Sequence, residues 1–224
     1  MSQTNSEVPI SPAIVRNLQV GIRVQLCSYA IGVAAAQHYL LSDKTIHMLS
    51  RSQKLFAYAA LIYTCLRFGS VILRLIGKAC CVELRSGYDY SWIYCSILFD
   101  VGYAIGFILR WTRPDMQHLY LFSFLEAAAI ACFLAYLRKT GRAVGDAAVT
   151  SHVERAIAYG ACLIGAVTLL IAIRVATGET VRGVFADGLF LLALSLSVLG
   201  WLLYYVYVMV RVLGLKPRLD VDFE

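Results

Sequence analysis

The sequence predicts an all-α membrane protein, a polytopic bundle of about six transmembrane helices with short loops and no soluble domain. Three observations predict it. Sixty per cent of the residues are hydrophobic and the mean hydropathy is +0.70, whereas soluble domains are apolar at roughly half their positions. The apolar residues fall in runs long enough for the about 20 residues that a helix needs to cross a bilayer. The alternating segments of about ten residues that build an outer-membrane barrel do not occur in it. With 224 residues and four prolines, the chain reads as one compact unit.

The elements follow in order. The opening MSQTNSEVPISP is polar and lacks the charged start and apolar core of a cleavable signal. Residues 1–17 therefore read as a polar tail, and the first span, 18–41, serves as the insertion signal. A second span covers 55–77, a third 90–111 and a fourth 116–138. The connection 139–154, with its stretch KTGRAVGDAAVTSH, reads as a Gly-containing polar loop and is the longest link. The fifth span is 155–176. The sixth, 184–213, is longer than a membrane is thick, so it tilts or carries Tyr204, Tyr205 and Tyr207 out to the interface. Residues 214–224 form a C-terminal tail.

Small residues four apart let helices approach closely in lipid. Ser28, Gly32 and Ala36 form such a stripe on the first span, Gly102 and Gly106 on the third, and Ala161 and Gly165 on the fifth. Gly32, Gly102, Gly106 and Gly165 are thus the expected packing glycines. The same regions hold a recurring small-Tyr-x-x-small pattern: SYAIG at 28–32, GYAIG at 102–106 and a looser AYGAC at 158–162. Tyr29 and Tyr103 fall near mid-membrane and Tyr159 near a surface, which argues for shared packing chemistry over a threefold repeat.

Within SILFDVGYAIGFILRW, residues 96–111, a carboxylate sits in the middle of an apolar run. Asp100 of the third span and Glu126 of the fourth lie midway along helices joined by a few residues, so they share one depth. Arg67 of the second span lies near the same level. An unpaired charge there costs roughly 3 kcal/mol on insertion scales. Helical spacing puts Tyr63, Arg67, Ser70 and Arg74 on one face, and Ser96, Asp100 and Tyr103 on another. We expect Asp100 to pair with Arg67, and Glu126 either to share that arginine or to stay neutral beside a like charge. Tyr63 and Tyr103 would supply hydroxyls. A buried pair of this kind can equally be architectural. Asp187, near the start of the sixth span, is accounted for by the helix dipole.

Other chemistries find little footing. The formal charge of +6 resides mainly at the ends of apolar runs, where Lys and Arg anchor helices to headgroups, so nucleic acid is not an expected partner. His38, His47 and His118 fall toward one surface and His152 toward the other, none at the i, i+4 spacing of a metal pair, and no metal site is expected. Cys80 and Cys81 read as a helix end before a lipidated or redox pair. The YD of Tyr88–Asp89 lacks the remainder of an intramembrane aspartyl protease pattern. Hydrolase, metalloprotease and phosphate-loop motifs are missing, so an enzyme is disfavoured and no cofactor is implied.

If the N-terminus is cytoplasmic, twelve of the twenty Lys and Arg residues fall on that side, Arg74 and Lys78 among them, and seven on the other. That bias puts both termini in the cytoplasm and the chain in the cell membrane. The plan of six spans with both ends inside resembles the substrate-capturing membrane subunits of vitamin-uptake transporters, in which a small-x-x-x-small stripe on the first helix docks a partner. Ala30 and Ala34 have that spacing. The expected function is a small transporter, channel or solute-binding membrane subunit whose polar site is built from Arg67, Asp100, Glu126, Tyr63 and Tyr103. The alternative is a non-catalytic sensor, assembly or accessory subunit. Lipid, and then another membrane subunit or a second copy, are the expected partners.

Overall fold

The computed structural model describes residues 12–49, 53–82, 89–112, 122–178 and 188–215. All regular structure among them is helical: α1 (Pro12–Leu49), α2 (Gln53–Cys80), α3 (Ser91–Thr112), α4 (Phe122–Val144), α5 (Ala147–Ala176) and α6 (Gly188–Leu213). Among the described residues four stretches are long and apolar enough to cross a membrane: Pro12–Ala35, Ser91–Leu109, Ala147–Arg174 and Leu192–Leu213. Helices α2 and α4 carry the ionisable residues discussed below, and those side chains lower their hydropathy.

The chain divides into two compact units, Met1–Phe133 and Leu134–Glu224, where the composition suggested one. The boundary lies within α4. In the first unit the main packing is the α1–α2 hairpin, to which α3 adds along α2. Helix α1 opens on Pro12, whose fixed φ and missing N–H suit a first helical position. Residues 12–17 are therefore helical and not tail, and the helix continues past the predicted end at 41. Ser28 Oγ donates to the Ser70 carbonyl at 2.6 Å. A Cβ built on Gly21 would collide with the Gly77 carbonyl oxygen and Cys81 Sγ, and one on Gly77 would come within 2.7 Å of the Gly21 carbonyl oxygen. The two backbones meet because neither position has a side chain. Cys81 is buried in this seam, so it is packing material at a helix end. Asp89 Oδ1 accepts from the Ser91 N–H at 2.9 Å and so closes the start of α3.

Helices α3 and α4 run antiparallel. Ser96 Oγ donates to the Ala129 carbonyl at 2.5 Å, and a Cβ on Gly102 would lie 2.9 Å from Leu125 Cδ1. That register sets Asp100 opposite Glu126, as the hairpin argument expects.

In the second unit the predicted loop 139–154 is helix. Only Gly145 and Asp146 separate α4 from α5. Gly145 adopts a φ of 76°, and its N–H reaches the Arg142 carbonyl while the Asp146 N–H reaches that of Gly141. This closes α4 in a Schellman turn, which favours glycine at the left-handed position. Asp146 Oδ1 then caps α5 through the Val149 N–H at 2.8 Å. The polar residues read as a loop instead form outward faces: Arg138 Nε and Arg142 Nη2 donate to Glu154 Oε1 at 2.8 and 2.6 Å. Helices α5 and α6 pack through Gly160, whose missing side chain admits Trp201. The Trp201 indole N–H donates to the Ala156 carbonyl at 3.0 Å. Tyr205 is buried, not interfacial. His152 Nδ1 lies 3.1 Å from Tyr204 Oη, and its ring meets Tyr207 edge-on.

Leu189, Leu192, Leu196, Leu199 and Leu203 of α6, with Ile164, Leu169, Leu170 and Ile173 of α5, are exposed. So many exposed large apolar side chains on two helices are unusual for a surface facing water. Gly165 is exposed too, and a Cβ there would meet nothing within 4 Å among the described residues. The fifth-span stripe is therefore not a contact face in this unit, which packs at Gly160 instead. Residues 1–11 and 216–224 of the tails, together with His118 and Asp187, lie outside the described residues.

Candidate functional site

Unit one brings together a cluster of five charged side chains from three helices, α2, α3 and α4. Along α2 the positions Arg67, Ser70, Arg74, Gly77 and Lys78 return to one face by helical spacing, and this face turns toward α1 and α3. Lys78 Nζ donates to Asp100 Oδ2 at 2.6 Å, with the two side chains 1% and 0% exposed. Glu126 accepts from two arginines, one at each oxygen: Arg74 Nη1 at 2.5 Å and Arg67 Nη2 at 3.4 Å. Arg67 Nη2 also donates to Tyr103 Oη at 3.1 Å.

The expected Arg67–Asp100 pair is therefore replaced by two others. Asp100 takes Lys78, about three helical turns beyond Arg67 on α2, and Arg67 takes Glu126. The reason is register: counting along the apolar run puts Arg67 level with Asp100, whereas the packed helices set the last turn of α2, with Lys78, beside it. Arg74 and Lys78 are not headgroup anchors but the most deeply buried cations among the described residues. Glu126 meets Arg67 but does not share it with Asp100, and Arg74 is its second partner.

Aromatic rings complete the surroundings. The Arg74 guanidinium lies 5.9 Å from the Tyr29 ring centre and 5.5 Å from that of Tyr103, within the range of a cation–π contact. Tyr29 and Tyr103 are the tyrosines of SYAIG and GYAIG, so the recurring motif brings two rings to one guanidinium. Tyr159, the third instance, is exposed in the other unit. Lys78 Nζ lies 5.7 Å from the Phe133 ring centre. Tyr63 sits half-buried one turn before Arg67 on α2. Gly32 faces Ser70 Oγ and Arg67 Nη1, at 3.3 and 3.4 Å from a Cβ built there, and Gly106 is buried. The stripe Ala30 and Ala34 is exposed on α1.

Two physical features distinguish the cluster from a simple structural pair. It contains three cations and two carboxylates, so one positive charge is in excess. It is also graded: Lys78, Asp100 and Arg74 are at most 2% exposed, whereas the Arg67 and Glu126 side chains are 26% and 23% exposed. Several buried polar atoms have no hydrogen-bond partner among the described residues: Arg74 Nε and Nη2, Asp100 Oδ1, and both ends of the Gln25 amide. Sequence reasoning missed Gln25, Arg74 and Lys78 as site members. The available signal for the last two was their place on the Arg67 face at three- and four-residue spacing. Comparison with protein families, curated proteins and solved structures finds no match to this chain.

Proposed function

We propose that the chain is an integral membrane protein, a bundle spanning a cell membrane with both termini cytoplasmic, that binds or moves a small polar solute at the α2–α4 cluster. The observation that carries this reading is the graded charge cluster with its surplus cation. Arg67 and Glu126 form the accessible end, with Tyr103 hydrogen-bonded to Arg67 and Arg74 behind. Lys78 and Asp100 form the closed end and act as architecture, since a dry, direct ion pair fixes helix positions without requiring a ligand. Ionisable residues within a membrane are expensive and generally line a solute path.

Reconstituted vesicles test the reading. Counterflow of a panel of small acids, bases and neutral solutes should reveal at least one substrate, and Arg67→Gln should abolish its movement while leaving the protein folded. Labels at residues 3 and 222 should be shielded from a membrane-impermeant reagent in intact cells, and labels in the 42–53 stretch should react. The dry Lys78–Asp100 pair favours the second reading, an accessory subunit held to a partner's helices. Stoichiometric recovery of a second membrane protein in mild detergent, with no solute moved, would decide for it.

A further inference from the structure

We propose that the solute is a small oxyanion of one negative charge, a carboxylate or a singly charged phosphate, docked on the free edge of Arg74. This rests on the solute-binding reading and names its substrate class. A guanidinium offers two edges to a planar anion. Arg74 uses Nη1 for Glu126. The atoms left without a partner, Nε and Nη2, are the two whose N–H bonds point the same way, side by side. That pair is the fork on which a carboxylate or phosphate sits with two parallel hydrogen bonds. Here both orphan donors belong to one recognition edge, on a side chain 2% exposed.

Charge and neighbours agree. The surplus positive charge of the cluster is cancelled by one monoanion, and a neutral or cationic occupant would leave it uncompensated in a low-dielectric interior. Tyr29 and Tyr103 flank the guanidinium, which leaves its plane fixed and its edge available. In the α1–α2 seam Gly21 faces Gly77 and Ser28 faces Ser70, so the Gln25 backbone lies near the level of Arg74, and its side chain packs against Gly77, three residues along the same face of α2. The fully buried Gln25 amide, with both ends unpartnered, gives a further donor for an anion oxygen.

The test uses the full chain, purified in mild detergent, with melting temperature and calorimetric titration as readouts. Acetate and inorganic phosphate should bind saturably, while acetamide, which has the shape of acetate without its charge, and chloride should not. Arg74→Lys keeps a cation facing Glu126 and removes the fork. Losing one charge-assisted hydrogen bond corresponds to roughly 10- to 100-fold weaker binding, and we expect a loss of that order. Gln25→Leu should weaken binding by a smaller factor and carries the test if Arg74→Lys does not fold. A parallel arm in nanodiscs of neutral lipid, with and without phosphatidic acid, separates a headgroup phosphate from a free solute. Binding in either arm supports the oxyanion. A folded wild type indifferent to acetate, phosphate and phosphatidic acid overturns it, as does unchanged affinity in Arg74→Lys or, where that variant does not fold, in Gln25→Leu. If a neutral or cationic solute then binds in an Arg67-dependent way, only the substrate class is wrong. Silence across the whole panel sinks the solute site as well.

Discussion

Replacing Lys78 and Asp100 singly and together is the most direct probe of the helix arrangement. Their charged atoms are 2.6 Å apart, with the side chains 1% and 0% exposed. At an effective dielectric of about 20, that separation corresponds to a gross attraction of roughly 6 kcal/mol. Desolvation of the two ions offsets most of it, so the pair contributes little net stability. Removing one partner leaves the penalty of the other without compensation. Lys78→Met and Asp100→Leu should therefore each destabilise by about 3–5 kcal/mol, whereas the double variant, with two apolar side chains of similar volume, should match or exceed the wild type. The assay is accumulation in the membrane together with unfolding in detergent for the four proteins. A control cycle of Asp100→Leu with Arg67→Gln should show no recovery, because Arg67 meets Glu126. Additive damage in the Lys78/Asp100 double variant, or rescue in the control, would refute the pairing.

Glu126→Gln should destabilise by about 3–5 kcal/mol, since it leaves the buried Arg74 without its counter-ion; a melting temperature equal to that of the wild type would show that Glu126 is not the shared acceptor. Gly21→Leu and Gly77→Leu should each break the α1–α2 hairpin, because the facing backbone occupies the space of a side chain, whereas Gly165→Leu should leave accumulation unchanged. Equal behaviour of the three would contradict the seam. In the second unit, Trp201→Phe removes the indole donor to Ala156 and should cost about 1 kcal/mol, read as a lowered unfolding midpoint.

The all-helical class and the equal depth of Asp100 and Glu126 were legible in the sequence. Run length and hydropathy set the first. The second follows from a short link, which forces neighbouring helices to run antiparallel, as Ser96 against Ala129 and Gly102 against Leu125 bear out. The face formed by Ser96, Asp100 and Tyr103 was equally readable, because helical periodicity is local. The partners were not. Which cation meets Asp100 depends on the rotation of α2 and on its approach to α1, and both are decided where Gly21 and Gly77 let two backbones touch. Neither glycine stands out from the apolar run around it. Arg67, Arg74 and Lys78 share one face over about three turns of α2, so periodicity alone leaves open which of them lies level with Asp100. The stretch 139–154 was misread for a related reason. Its polar residues are a loop signal by composition, but a left-handed glycine, an aspartate cap and the outward placing of Arg138, Arg142 and Glu154 let helix continue on both sides. Composition determines what the chain can bury; only the packed helices decide which buried charge answers which.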